Sequence, residues 1–368
     1  MKKHKTTYRF LISGGGTGGH IFPALSIADA IRRRLPEAEI LFAGAENRME
    51  MQRVPQAGYR IIGLPIAGLQ RKWTVKNLLL PFKIVKSIGK ALDIIRDFRP
   101  HAVIGTGSYA SAPVVWAAQF KGIPTFVQEQ NSYPGITNRF LGRKARKIFT
   151  AYEEAGRYFP ENKTVLTGNP VRKEIRELGL TQKDYALFGL QPNLPVVLIL
   201  GGSLGAASIN KNVAAWVKSQ KGNPGFQVLW QTGKLYFDRY KDLENPFVKT
   251  LPFIKEMNKA YALADIIVSR AGAGTISELG IAGKPVILIP SRNVSEDHQT
   301  KNASALAEQE AAVLLPENRA NKLFDIVNDL LKNKEKMRRL ASNIKKTARP
   351  EAVERIVDEI FKTLNITP

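Results

Sequence analysis

The stretch Ser13–His20, SGGGTGGH, places five glycines around one threonine and closes on a histidine. Its flanks decide how it folds. Tyr8–Ser13 (YRFLIS) is a short apolar, aromatic-containing run that reads as a buried strand. Beyond Ile21, the residues FPALSIADAIRR carry apolar side chains at helical spacing, with Pro23 in the first turn, where proline is tolerated. The loop therefore joins a strand to a helix N-terminus. Without Cβ atoms its backbone can be approached closely, and the unpaired N–H groups and positive dipole end of the helix face whatever sits there.

Gly14, Gly16 and Gly19 fit the dinucleotide fingerprint G-x-G-x-x-G. A dinucleotide site also wants an acidic residue closing the second strand. The second strand reads as Glu39–Ala43 and runs into Gly44, with Glu46 already past it. No G-K-[ST] follows the loop, so a Walker A site is excluded. What remains is a site for an oxygen-rich, anionic ligand that need not be a dinucleotide.

Strand-like runs recur with helical patterns between them. They are Tyr8–Ser13, Glu39–Ala43, Tyr59–Leu64, Ala102–Gly105, Thr125–Glu129, Lys147–Thr150 and Thr164–Thr167 in the first half. In the second half they are Val196–Leu200, Gln227–Trp230, Val248–Leu251, Ile266–Ser269, Pro285–Ile289 and Ala312–Leu315. This alternation predicts an α/β chain with parallel sheets. Gly168-Asn169-Pro170 punctuates the middle and predicts two domains, 1–168 and 169–368, with the last helix a candidate for packing back on the first. LILGGSLGA (198–206) restates the opening pattern, so each half begins with a glycine loop at a strand's carboxyl end, where open α/β sheets bind ligands. A third glycine loop, SRAGAGTISELG (269–280), opens a helix carrying Glu278, which reads equally as a dipole-stabilised carboxylate or as a partner for a ribose diol.

The 368 residues suffice for two cores, and 44% of them are hydrophobic. There is no cysteine, which excludes disulfides, thiolate metal sites and cysteine nucleophiles. No apolar run approaches the ~18 residues that span a bilayer, and the basic start MKKHK leads into too short an apolar run for a signal peptide. A cytoplasmic protein is expected. The formal net charge of +23 implies an anionic partner. Between Glu50 and Asp93 there is no acidic residue, while Arg53, Arg60, Arg71, Lys72, Lys76, Lys83, Lys86 and Lys90 fall there.

Seven segments in order, GGGTGGHIFPALSIA, GTGSYASAPVVWAA, QEQNSYPGITNR, GNPVR, GGSLGA, SRAGAGTISEL and EDHQTKNA, resemble the MurG family of peptidoglycan glycosyltransferases along essentially the whole chain. The resemblance implies the GT-B architecture, two Rossmann-like domains with parallel sheets facing across a cleft. It implies inverting transfer of N-acetylglucosamine from UDP-N-acetylglucosamine to undecaprenyl-pyrophosphoryl-N-acetylmuramoyl-pentapeptide (lipid I), yielding lipid II. Thr17, Gly18 and Gly19 would then contact the donor or line the acceptor pyrophosphate site, and Asn131 would hydrogen-bond the sugar. Arg172 would reach the nucleotide, Ser203 a donor phosphate, and the main chain of Ile254 the uracil edge. Glu278 would take the ribose hydroxyls and Gln299 the sugar hydroxyls, with Ala273, Gly274 and Thr275 near sugar and phosphates. His298 stands where some members have a second glutamine.

One displacement at the anomeric carbon needs a base, and His20 and Glu129 are the two candidates. No D-x-D motif occurs, so neither a protein-bound catalytic metal nor a bound cofactor is expected, though a divalent cation could assist the diphosphate. A polyprenyl-linked acceptor requires peripheral docking on the cytoplasmic face of the inner membrane. GLQRKWTVKNLLLPFKIVK (68–86) has the chemistry for it: Leu69, Trp73, Leu79 and Phe82 for the interface, Lys72, Lys76 and Lys83 for anionic head groups. An epimerase of UDP-N-acetylglucosamine on the same architecture would not need that segment. A basic nucleic-acid-binding protein would need aromatics interleaved with basic residues on one surface, which the sequence lacks, so no nucleic-acid partner is expected.

Overall fold

The computed structural model describes residues 7–68, 80–176, 183–202, 204–291 and 297–367. The chain divides into two compact units, Met1–Val171 with Pro350–Pro368, and Arg172–Arg349.

The first unit is built on a seven-stranded parallel sheet of order β3-β2-β1-β4-β5-β6-β7. Its strands are β1 (Arg9–Ser13), β2 (Glu39–Ala45), β3 (Arg60–Leu64), β4 (Ala102–Gly105), β5 (Thr125–Glu129), β6 (Lys147–Thr150) and β7 (Thr164–Leu166). Successive residues of β1 point to opposite faces, and both faces are covered. Phe10 and Ile12 enter one core with Ile27 and Ile31 of the helix Gly18–Arg34. Leu11 enters the other, with Ala91 and Ile94 of the helix Leu80–Phe98 and Val114 of the helix Ser108–Phe120. That is why these strands read as unbroken apolar runs.

The second unit repeats the plan with six parallel strands in the order β10-β9-β8-β11-β12-β13. They are β8 (Val196–Leu200), β9 (Gln227–Gln231), β10 (Val248–Leu251), β11 (Ile266–Ser269), β12 (Val286–Leu288) and β13 (Val313–Leu314). Val197, Ile199, Trp230 and Val268 share its core with Ile209 and Val213 of the helix Ala207–Ser219.

The division differs from the one expected at 168/169. It falls at Val171, and Pro350–Pro368 belongs with the first unit. The helix Ala352–Thr363 puts Val353, Ile356, Val357, Ile360 and Phe361 into the core that holds Phe10 and Ile27. At roughly 1.5–3 kcal/mol per fully buried apolar side chain, that face is committed to the first sheet. Ion pairs from Arg33 to Glu354 (2.9 Å) and from Arg34 to Asp358 (2.5 Å) seal its rim.

Both sheets reverse strand order beside their first strand, between β1 and β4 and between β8 and β11. In open α/β sheets ligands bind at the carboxyl ends of the strands at such a reversal.

Candidate active site

At the first reversal, Gly14, Gly15 and Gly18 of the opening loop each answer to a close neighbour. A Cβ on Gly14 would lie 1.9 Å from Thr106 Oγ1, in the loop after β4, so the bare backbone lets the two strand ends close together. A Cβ on Gly15 would lie 2.0 Å from Glu50 Oε1. Glu50 is fully buried, and its carboxylate accepts from the N–H of Gly16 at 3.0 Å and of Ala45 at 3.0 Å. Gly16 adopts a φ of +80°, which glycine favours. A Cβ on Gly18 would press on the Phe22 ring at 2.9 Å. Gly19 is different: a Cβ there would meet only Thr17 Oγ1, at 3.6 Å. Thr17 and Gly19 are exposed at the helix start, so this turn of backbone lies open to a ligand.

His20 bridges the reversal. Its Nδ1 lies 2.9 Å from the Thr106 carbonyl oxygen, and Thr106 Oγ1 donates back to the His20 carbonyl at 2.8 Å. A carbonyl only accepts, so this contact places the proton on Nδ1 and the ring's lone pair on Nε2 when the imidazole is neutral. Gln130 Nε2 donates to the same Thr106 oxygen at 2.6 Å.

Glu129, at the end of β5, is buried with both oxygens engaged. Oε1 accepts from the backbone and side-chain nitrogens of Asn131 at 2.9 and 3.1 Å. Oε2 accepts from Asn138 Nδ2 at 2.8 Å and Gly135 N at 3.3 Å. Burial pushes its pKa up, against the pull of these four donors. The carboxylate's geometry is that of a clamp on the turn carrying Asn131.

At the second reversal lies an open pocket of about 550 Å³, walled by Gly201, Gly205, Ser208, Arg270, Gln299 and Glu317 among others. The glycine loop after β8 and the N-terminus of the helix Ala207–Ser219 form one side. Gln299 Oε1 accepts from Ser291 N at 2.9 Å, which aims its amide nitrogen elsewhere. Arg270, the first residue beyond β11, donates through Nη1 to the Ile289 carbonyl (3.0 Å) and through Nη2 to Ser208 Oγ (3.0 Å) and Glu317 Oε1 (2.6 Å). Ser208 Oγ also donates to Glu317 Oε1.

Other expected donor residues form a second cluster in the same unit. Glu278 Oε1 accepts from Arg172 Nη2 (3.0 Å) and Nε (3.2 Å), and its Oε2 accepts from Tyr261 OH (3.1 Å). Burial, then the Glu278 charge, push the Tyr261 hydroxyl well above its ordinary pKa, keeping it a donor. Ile254 is buried, and its N–H is taken by Gln231 Oε1 at 2.9 Å, so the whole main-chain edge expected there is not open: the carbonyl is what it can offer a base. Ala273, Gly274 and Thr275 form the first turn of the helix Ala273–Ala282, and a Cβ on Gly274 would meet nothing within 4 Å. Among the described residues, the pocket wall includes Gln299 but not Arg172, Ile254 or Glu278. Ser203 lies outside the described residues, as do Leu69, Lys72, Trp73, Lys76 and Leu79.

Phe82 and Lys83 are described. Phe82 is 75% exposed and Val85 71% exposed at the start of the helix Leu80–Phe98, whose later turns bury Ser87, Ala91, Ile94 and Ile95. Among the described residues no helix is long and apolar enough to cross a membrane, and no group of three or more histidines, aspartates and glutamates could hold a metal ion.

Residue-type reasoning passed over Glu50, Thr106, Ser208, Arg270 and Glu317. Arg270 had a signal, since it follows a strand directly inside a glycine-loop motif. Glu50 and Glu317 had none, for nothing local marks the backbone or guanidinium they serve.

Residues 10–150 match the glycosyltransferase family 28 N-terminal domain, and residues 196–356 match the glycosyltransferase family 28 C-terminal domain. A protein of Cytophaga hutchinsonii, named UDP-N-acetylglucosamine--N-acetylmuramyl-(pentapeptide) pyrophosphoryl-undecaprenol N-acetylglucosamine transferase, is 50% identical over 360 residues, 97% of each chain. The crystal structure of Acinetobacter baumannii MurG superposes with a TM-score of 0.75 at 29% identity, over 96% of this chain and 99% of that one. A UDP-GlcNAc 2-epimerase from Neisseria meningitidis, bound to UDP-GlcNAc, superposes with a TM-score of 0.67 at 16% identity over 97% and 100% of the two chains, a likeness of fold alone.

Proposed function

This chain belongs to glycosyltransferase family 28 and has the GT-B fold, and from that premise we infer that it transfers N-acetylglucosamine from UDP-N-acetylglucosamine to lipid I, forming lipid II. The observation that carries this is half-identity to a transferase of that name across nearly the full length of both chains.

The first unit would take the acceptor. His20 is the proposed base: Thr106 holds Nδ1–H, so Nε2 is the nitrogen able to remove the acceptor hydroxyl's proton. The hydroxyl oxygen then bonds to the anomeric carbon as the bond to the diphosphate breaks, inverting the α-linked donor to a β-linked product. Glu129 would act as the clamp that sets Asn131 against the sugar. Thr17, Gly18 and Gly19 would present helix-start backbone to the pyrophosphate.

The second unit would hold the donor. Glu278, with Arg172 and Tyr261 as its partners, would accept from the ribose, the Ile254 carbonyl would accept from the uracil N–H, and Gln299 would meet the sugar hydroxyls. Ala273, Gly274 and Thr275 would bring the open start of their helix to the phosphates. Leaving UDP would find charge compensation at the two helix starts. A divalent ion on the diphosphate is compatible with this arrangement and is assigned no protein ligand.

We place the protein peripherally on the cytoplasmic face of the membrane that carries lipid I, docked through anionic lipid. Phe82 and Val85, exposed beside Lys83 and Lys86, support this reading.

The test is incubation with labelled UDP-N-acetylglucosamine and a lipid I analogue. A lipid-linked disaccharide is expected. Free N-acetylmannosamine without it would overturn the assignment in favour of an epimerase.

A further inference from the structure

The pocket at the second reversal contains an oddity for a site that faces a diphosphate: a carboxylate. Glu317 lines it, on the same wall as Arg270 and Ser208. The three side chains close a triangle. Arg270 Nη2 donates to both Ser208 Oγ and Glu317 Oε1, and Ser208 Oγ donates to Glu317 Oε1. The Ile289 carbonyl holds one Nη1 hydrogen. Both charged side chains are largely withdrawn from solvent, Arg270 at 14% exposure and Glu317 at 25%.

A guanidinium has five N–H donors in a rigid fork. Three of Arg270's are spent on these contacts. Among the described residues, none accepts from its Nε–H or from the second Nη1 hydrogen. The carboxylate and the Ser208 hydroxyl thus hold Nη2, while the Nε–H and one Nη1 hydrogen of this pocket-lining arginine stay unspent among the described residues. An unpinned arginine in the same place has many rotamers, and it loses that freedom at each turnover.

We propose that Glu317 is a positioning residue for the transfer reaction, holding Arg270 so that the unspent N–H groups of its guanidinium meet the charge that develops on the leaving diphosphate. This rests on the reading of the second unit as the UDP-sugar site. As the anomeric C–O bond breaks, its electron pair passes to the β-phosphate oxygen. A fixed guanidinium cation stabilises that charge more than it stabilises the bound donor. Glu317 then costs something in ground-state binding, because its own charge opposes the diphosphate, and contributes in the transition state.

The two effects separate in one variant. Glu317→Gln keeps the shape and an acceptor oxygen and removes the charge. It should bind UDP as tightly as wild type or more tightly in calorimetry, yet lower kcat by about tenfold or more, the scale of a misplaced catalytic group. In a cycle with Arg270→Lys, the double variant should be no slower than Arg270→Lys alone. Glu317→Asp, which keeps the charge on a shorter arm, should give wild-type UDP affinity with an intermediate kcat, and it carries the test if Glu317→Gln does not fold. Unchanged kcat in the folded variant, a loss of kcat matched by a loss of UDP affinity, or additive effects in the cycle would overturn the proposal alone. Failure of the wild-type chain to bind UDP would overturn the donor-site reading and the proposal with it.

Discussion

Replacing Gly15 by alanine is a sharp probe of the opening loop, because the structure says what the methyl group would hit. The new Cβ would lie 2.0 Å from Glu50 Oε1 and 2.4 Å from Glu50 Cδ, so the carboxylate has to leave its slot. The far wall of the slot is Gly44, where a Cβ would lie 2.6 Å from Glu50 Cγ. The side chain is fully buried and held by the N–H groups of Ala45 and Gly16, each at 3.0 Å. A hydrogen bond to a charged group contributes about 1.5–3 kcal/mol, so eviction should destabilise the first unit by roughly 3–6 kcal/mol. Glu50→Ala loses the same two bonds and should cost a similar amount. The decisive measurement is the double variant. With the carboxylate gone, the Gly15 methyl enters empty space, and Gly15→Ala should then add less than about 1 kcal/mol, a coupling of roughly 2 kcal/mol or more. Denaturant melts of wild type, both single variants and the double variant give all four free energies. If the two costs simply add, the Glu50 slot is not what the second glycine of the loop is for.

His20→Ala should lower kcat by about 10²–10⁴ while leaving UDP-N-acetylglucosamine affinity nearly intact; a rise in acceptor KM with little change in kcat would instead make the imidazole an acceptor-binding group. Reversing Lys83 and Lys86 to glutamate should weaken sedimentation with anionic vesicles in a salt-dependent way, at roughly 1 kcal/mol per basic residue removed, and leave UDP affinity unchanged; undiminished binding at low salt would move the membrane surface elsewhere. His101 Nδ1 accepts from the Arg9 N–H at 3.0 Å, and burial, aided by Arg9, lowers its pKa below the usual 6.5. A depressed folded-state pKa gives stability that is present above about 6.5 and lost as pH falls through the folded value, so wild type should lose stability toward pH 5 more steeply than His101→Gln. Parallel pH profiles for the two would remove His101 as the cause.

The strands were legible because their signal is local. Every run read as a strand, from Tyr8–Ser13 to Ala312–Leu315, contains one, and the central ones, such as β1 and β8, are apolar along most of their length because both their faces are covered. The two glycine loops were legible as strand-to-helix turns because each follows an apolar run and precedes a helical pattern, and each sits where sheet order reverses. The partners of those loops were not. Glu50 serves a backbone N–H 34 residues away, and Glu317 pairs with Arg270 across 47, and hydrogen bonds of that reach leave no periodic trace. Ile254 shows the same limit from the other side: nothing local in the sequence marks that Gln231, on strand β9, takes its N–H.

The helix Ala352–Thr363 also sets an order of events during synthesis. It completes the core that holds Phe10 and Ile27, yet it is made after everything in Arg172–Arg349. At about 5–20 residues per second, the ribosome needs on the order of ten to forty seconds to pass through that interval. For that time the first sheet waits with the surface that will receive Val353, Ile356 and Phe361 uncovered, while the second unit already has all of its own chain. The part of the sequence that begins first is the part that finishes folding last, and its unfinished apolar face is what a chaperone on the nascent chain would have to cover.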